Sequence, residues 1–232
     1  MQIEDIQAGK VLLVDKPLDW TSFQAVNKIK FKLKREFKLR KIKVGHAGTL
    51  DPKATGLLIV CTGKATKQIP LIQDAEKEYR AEIKIGVQTE SYDTEKPEIL
   101  HRDYTHITEE NISAALGKFI GEIDQRPPVF SALKIDGERA YDLARAGQSI
   151  EMKTRKTTIH YIKDVEISLP LVSFTVGCSK GTYIRSLAHD IGQELGVGAY
   201  LTALRRTKIG AYSVEEASSD YLTNDFLFSE AE

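Results

Sequence analysis

The chain has 232 residues and a mass of 26.0 kDa, with 41% hydrophobic and 28% charged residues, which excludes a wholly disordered or fibrous protein. No stretch approaches the ~20 apolar residues of a membrane span, and the opening MQIEDIQAGK lacks the basic end and apolar run of a secretory signal. Cys61 and Cys178 stand far apart without metal-type spacing, so a disulfide scaffold and a zinc site are not expected and a reducing cytoplasm is.

Length alone predicts a single domain with modest insertions, at roughly 150 residues per domain. Lys plus Arg and Asp plus Glu both total 33, for a net charge of zero. The distribution is uneven. Residues 28–43 hold nine bases (Lys28, Lys30, Lys32, Lys34, Arg35, Lys38, Arg40, Lys41 and Lys43) against Glu36, a local charge of +8, so the rest of the chain carries −8. The last 18 residues hold six acids and no base. A dense basic block on a neutral protein can hold a polyanion, because each neutralised phosphate releases a counterion. A solvated helix face accounts for the same pattern.

In chain order, Val11, Leu12, Leu13 and Val14 form a short apolar run before Asp15, Lys16 and Pro17, as a buried strand followed by a turn would. Thr21 and Gln24 have capping-box spacing, and Val26, Ile29, Leu33 and Phe37 then form one helical stripe. Its other side is cationic. GLLIVC (56–61) is a second buried run. From Tyr79 to Val87 apolar and polar residues alternate, the mark of a half-buried strand. Thr108 is placed to cap a helix through Ile112, Ala115, Leu116 and Phe119. Two strand-like stretches flank Pro170. A last amphipathic helix, through Ile184, Leu187, Ala188, Ile191 and Leu195, stops at Gly196. No regular βαβ alternation appears, so the expected fold class is α+β around one extended sheet. Residues 125–147 (QRPPVFSALKIDGERAYDLARAG) read as a long excursion between regular elements, either functional or simply packed down.

The densest candidate for chemistry is GHAGTLDPKATG (45–56), where three glycines and a proline suggest a loop held in one shape. It contains His46 and Asp51. Asp51 before Pro52 also fits an ordinary helix start, with the carboxylate as N-cap, and His46 fits a structural histidine. Nothing nearby supplies the third ligand a metal would need. A P-loop fails because Leu58 stands where its first glycine belongs and Ala65 replaces the Ser or Thr. Tyr79 fits a core aromatic, Tyr183 ordinary packing and Arg185 a surface or capping role.

Taken together, five blocks resemble the TruB-type tRNA pseudouridine synthases: VLLVDKPLDWTS (11–22), GHAGTLDPKATGLLIVCTGKATK (45–67), KEYRAEIKIGVQTESYD (77–93), residues 125–147, and CSKGTYIRSLAHDIGQELGVGAYLTALRRTKIG (178–210). They occur in the family's order. The resemblance implies a mixed, mostly antiparallel sheet flanked by helices, in a single catalytic domain. It implies a catalytic aspartate at Asp51, and a histidine beside the flipped nucleotide at His46. Tyr79 would contact the target base. Tyr183 and Arg185, of the GTYIR motif, and Leu204, of the TALRR segment, would also serve the site. Residues 125–147 would be a thumb that grips the T arm of tRNA.

The implied reaction is isomerisation of uridine in the TΨC loop, at tRNA position 55. It needs no redox cofactor, since product and substrate differ only in connectivity, and no guide RNA or protein partner. A monomer is implied by the same analogy, and no metal is expected from the residues themselves. Arg185 would keep the Asp51 carboxylate charged, because a guanidinium stays protonated and offers two donors. Further RNA contacts are expected from Lys28, Lys32, Arg35, Lys41, Lys43, Arg126, Lys134 and Arg145. Asp19 and Lys96 stand where the family usually has glycine. Many relatives continue into a small RNA-binding PUA domain; here residues 216–232 form only a short acidic tail, and the basic helix is expected to compensate. A non-catalytic tRNA-binding or folding module of the same fold is the alternative, and a guide-RNA-dependent relative a further rival.

Overall fold

The computed structural model describes residues 3–131, 133–135, 137–145 and 152–228. The chain opens on α1 (Ile3–Ala8) and β1 (Val11–Lys16), whose alternate residues Leu12, Val14 and Lys16 face inward. The period of two therefore carries a lysine into the interior. Next comes α2 (Ser22–Glu36), started by the expected capping box: Thr21 Oγ1 accepts from Gln24 N, and the Gln24 side chain reaches back to the Thr21 amide. Val26, Ile29 and Leu33 are buried along its inner stripe. Each such side chain contributes roughly 1.5–3 kcal/mol when fully buried.

A short strand, β2 (Val44–Ala47), precedes β3 (Ala54–Thr62), which is buried over nearly its whole length. α3 (Ile69–Asp74) leads into β4 (Lys77–Ile85), where Tyr79, Ala81, Ile83 and Ile85 face inward as the alternation predicts. After β5 (Gln88–Thr89) and β6 (Glu98–Ile99) comes α4 (Glu109–Gly117), capped by Thr108 with Asn111 completing the box. β7 (Gly121–Gln125) ends where the excursion begins. The excursion carries a hairpin, β8 (Lys134–Ile135) and β9 (Glu138–Arg139), then α5 (Ala140–Arg145); its end, including Gly147, lies outside the described residues. The chain finishes with β10 (Arg155–Ser168), β11 (Leu171–Cys178), α6 (Ile184–Glu194), β12 (Ala199–Ile209) and β13 (Tyr212–Ser213).

Two compact units follow: residues 1–79 with 205–232, and residues 80–204. In the first, β3 is flanked by β1 and the end of β12, with β2 also on β3 and β13 on β12. β1 runs antiparallel to β3 from Val11 opposite Cys61 to Lys16 opposite Gly56. In the second unit the order is β12, β4, β11, β10, β7. β10 and β11 form a long antiparallel hairpin, and β7 lies antiparallel to β10. Every pair whose register is described is antiparallel, and helices flank the strands, so the α+β expectation holds.

The acidic C-terminal segment includes a single-turn helix at Asp220–Leu222. Tyr221, Phe226 and Phe228 form an aromatic cluster, with ring centroids 5.0–5.8 Å apart. It lies against α2: the Phe228 amide donates to Glu36 Oε2, and Lys28 Nζ donates to Asn224 Oδ1.

Candidate functional site

In the first unit, His46 lies on β2 and Asp51 within the connection from β2 to β3. β2 pairs with β3 so that His46 lies opposite Val60 and Ala47 opposite Ile59. The Asp51–Pro52 step starts no helix. Ala54 N donates to Asp51 O at 3.1 Å, closing a turn that feeds directly into β3. The helix-start reading fails because the apolar run after the proline continues the sheet, and burying that run outweighs a local helix signal.

The connection is pinned almost residue by residue. Ser22 Oγ accepts from Leu50 N at 2.9 Å and donates to Leu50 O at 3.1 Å. Arg206 donates to Gly48 O at 3.0 Å and Thr49 O at 3.4 Å. Asp19 N donates to Pro52 O at 2.8 Å, and Lys53 Nζ lies 2.8 Å from Asp19 Oδ1. Asp19 itself has φ +64°, in the left-handed region. That is why a glycine suits this position, and why an aspartate, one of the better tolerated alternatives, can replace it.

Two buried cations sit near this loop. Lys16 is fully buried and gives Nζ to Pro17 O and Trp20 O at 2.9 and 2.6 Å. Burial pushes its ammonium down to about 8; the Asp51 and Asp19 carboxylates oppose that, and Arg206 adds to it. Burial also lowers His46, opposed by the Gly48 backbone and reinforced by the Arg206 charge. His46 is therefore a neutral ring at neutral pH, and its Nδ1 has no hydrogen-bond partner among the described residues. Tyr79 is 9% exposed on the inward face of β4. Arg205 meets Asp15 through two parallel bonds of 3.0 and 2.7 Å.

In the second unit, Tyr183 is the N-cap residue of α6 and Arg185 lies in its first turn. The Gln125 amide grips Tyr183 twice, accepting from its N–H at 2.8 Å and donating to its carbonyl at 3.0 Å. Ser186 Oγ donates to Arg126 O, and the Arg155 guanidinium lies over the Tyr183 ring. The root of the 125–147 excursion and the start of α6 are thus one hydrogen-bonded assembly. Arg185 is no surface residue, at 4% exposure. Its Nη1 donates to Phe130 O at 2.9 Å and Ser91 O at 3.3 Å, and its Nε lies 3.7 Å from Asp93 Oδ2. Sequence reading did not single out Asp93, although it ends the matching block 77–93, because its partner lies far along the chain. Leu204 is half-buried on β12. Tyr92, with φ +62°, stacks on His189 at 4.0 Å between centroids.

Of the expected RNA-contacting residues, Arg35, Lys41, Lys43 and Arg126 are exposed and Lys28 is half-buried. Lys32 is not at the surface. It is 4% exposed, donates to Thr223 O at 2.7 Å, and lies over the Phe226 and Phe228 rings. Its position on α2 turns it toward the C-terminal segment, which a charge count along the sequence does not reveal. Lys134 falls on β8 and Arg145 ends α5. A cleft of about 430 Å3 is lined by Lys30, Lys34, Arg40, Lys41, Ile42 and Lys43. Among the described residues no acid forms an ion pair with any of these five cations. No group of three His, Cys, Asp or Glu side chains able to hold a metal, and no helix long and apolar enough to cross a membrane, occurs among the described residues.

The cleft, with no acid paired to its five cations among the described residues, is a surface suited to a polyanion. Residues 34–184 match the family described as TruB family pseudouridylate synthase (N terminal domain), and residues 185–231 match the tRNA pseudouridylate synthase B C-terminal domain. A protein of Flavobacterium johnsoniae named tRNA pseudouridine synthase B is 54% identical over 94% of this chain and 95% of its own length. One of Parabacteroides distasonis with the same name is 50% identical over 96% and 95%. Among solved structures, a chain from the crystal structure of a Cbf5-Nop10-Gar1 complex superposes with a TM-score of 0.68 at 36% identity. That match covers 92% of this chain and 52% of the other, so the chain spans about half the length of that solved protein. The chain belongs to the TruB family of pseudouridylate synthases.

Proposed function

We propose that this chain, acting as one catalytic domain, isomerises uridine to pseudouridine in tRNA, at position 55 of the TΨC loop. The observation that carries the reading is the Asp51 turn, held at Gly48, Thr49, Leu50 and Pro52 by four separate hydrogen-bonded contacts. Such pinning serves a carboxylate that has to meet a reacting atom in one geometry. Relatives named tRNA pseudouridine synthase B over nearly the whole chain support the substrate class.

The reaction breaks the bond from C1′ to uracil N1 and forms one from C1′ to C5; a proton leaves C5 and N1 regains one. The base has to leave its stack first, at a cost of a few kcal/mol. Stacking on Tyr79 recovers roughly 1–3 kcal/mol of that, and the neutral His46 ring fills the space the nucleotide vacates. Asp51 acts as the ionised nucleophile, with Arg185 as the guanidinium that favours its charged form. Tyr183 and Leu204 contact the nucleotide, and Tyr79 assists loss of the C5 proton. Backbone phosphates are held by Lys28 and Arg35 of α2 and by Lys41, Lys43 and the other cations of the cleft, with Arg126, Lys134 and Arg145 gripping the T arm from the 125–147 excursion. Lys32 is left out of that set. The chain works alone, as a monomer in the cytoplasm, without guide RNA or protein partner.

The test is to incubate the purified chain with an unmodified tRNA transcript and map pseudouridine by base-resolved sequencing. Modification at position 55 is expected, and Asp51→Asn is expected to bind tRNA while losing nearly all turnover. A wild-type chain that binds tRNA and modifies nothing would instead be the non-catalytic module. Reversing charge at Lys41 and Lys43 is expected to lower the salt slope of binding by about one for each phosphate no longer neutralised.

A further inference from the structure

Arg206 is 1% exposed, yet among the described residues no acid pairs with it. Its guanidinium is spent on backbone carbonyls: Nε donates to Leu57 O at 2.8 Å, Nη2 to Gly48 O at 3.0 Å and Nη1 to Thr49 O at 3.4 Å. Leu57 belongs to β3, the strand the Asp51 turn feeds. Gly48 and Thr49 lie between His46 and Asp51. One side chain therefore ties the start of the loop to the strand at its end. Burying an unpaired charge is costly unless hydrogen bonds offset it, and the same holds for loop carbonyls that have no strand partner. Each solves the other's problem here.

The approach of the arginine is built into the backbone. A Cβ on Gly56, φ +97°, would stand 2.3 Å from Arg206 O and 2.9 Å from Arg206 N, so only glycine lets β12 come this close. Gly48, φ +88°, would place a Cβ 3.4 Å from Nη1. Gly56 thus makes room for Arg206, while position 48 needs glycine for its φ of +88°. A lysine could not reproduce it: its ammonium is a point charge, whereas the planar fork reaches three separate acceptors in fixed directions.

We propose that Arg206 is a positioning residue for Asp51, fixing the Gly48 and Thr49 carbonyls so that the turn presents the carboxylate in its reactive orientation. The proposal rests on the reading that Asp51 carries the reaction. The positive field of this buried group is felt at His46 and Lys16, whose protonated forms it disfavours.

Arg206→Lys tests this with four measurements: thermal melting, tRNA affinity in the Asp51→Asn background, the single-turnover rate at saturating enzyme, and hydrogen exchange of the 46–53 peptide. The expected result is a folded protein, affinity within about threefold of the parent, a rate at least about tenfold lower, and faster exchange confined to that peptide. A folded Arg206→Lys with wild-type rate and exchange would overturn the proposal. So would a rate loss matched by an equal loss of affinity. Should Arg206→Lys fail to fold, Gly48→Ala displaces the same carbonyl while leaving the arginine; a folded Gly48→Ala with the wild-type rate overturns the proposal, and the same rate-without-affinity loss supports it. If wild type itself makes no pseudouridine, the functional reading falls, and the exchange data alone decide whether Arg206 holds the loop.

Discussion

Arg185 Nε lies 3.7 Å from Asp93 Oδ2, and both side chains are only 5% exposed. A pair this deep is expensive to break, because the buried guanidinium then loses a carboxylate held against it. The Ser91 and Phe130 carbonyls on Nη1 share the charge but do not cancel it. Asp93→Ala is expected to lower stability by about 3 kcal/mol, seen as a lower urea midpoint at unchanged slope. Asp93→Asn, which keeps size and one acceptor, should fall between the two. A wild-type midpoint in Asp93→Ala would show that Arg185 is held without this pair.

Gly56 offers a steric test in the first unit. An added methyl has no room against the Arg206 backbone, and the φ of +97° is unfavourable for any L side chain. Gly56→Ala is expected to cost more than about 2 kcal/mol, the range of overpacking with backbone strain. A melting temperature within a degree of wild type would show that β12 can move away from β3 freely.

Asp190 gives a pH dependence with a definite sign. Burial pushes its carboxyl up from 3.8 to about 6, with Arg126 opposing. Between these values the folded state keeps a proton that the unfolded chain has lost, so this group's contribution to stability falls as pH rises through that window. Asp190→Asn never ionises. It should match wild type near pH 4 and melt higher than wild type near pH 7.5. His46 and His189, both lowered by burial, change stability over nearby pH values, but they cancel in the variant-minus-wild-type difference. An equal difference at both pH values would show that Asp190 is not desolvated.

Lys32 separates a structural lysine from an RNA contact. It holds the Tyr221 and Thr223 carbonyls under the Phe226 and Phe228 rings. Lys32→Ala should loosen residues 219–228 from α2, giving faster hydrogen exchange and earlier proteolysis there, while tRNA affinity changes by less than about twofold. A tenfold loss of affinity with unchanged exchange would return Lys32 to the RNA surface.

Local rules were enough for most of the elements. Alternation set β4, capping residues set the starts of α2 and α4, and a glycine set the end of α6, because each depends on neighbours within a few positions. The matched motifs brought His46, Asp51, Tyr79 and Arg185 forward for the same reason: they stand in short ordered strings. β12 escaped this reading, since TALRRTKI has no clean period. Only the tertiary structure showed that Asp51–Pro52 closes a turn, that Lys16 and Lys32 are interior lysines, that Asp93 sits on Arg185, and that Arg206 supports the loop ahead of Asp51. Each of these depends on partners brought together by packing, and a buried charge is placed by the carbonyls and acids that can satisfy it, which no stretch of neighbouring residues records.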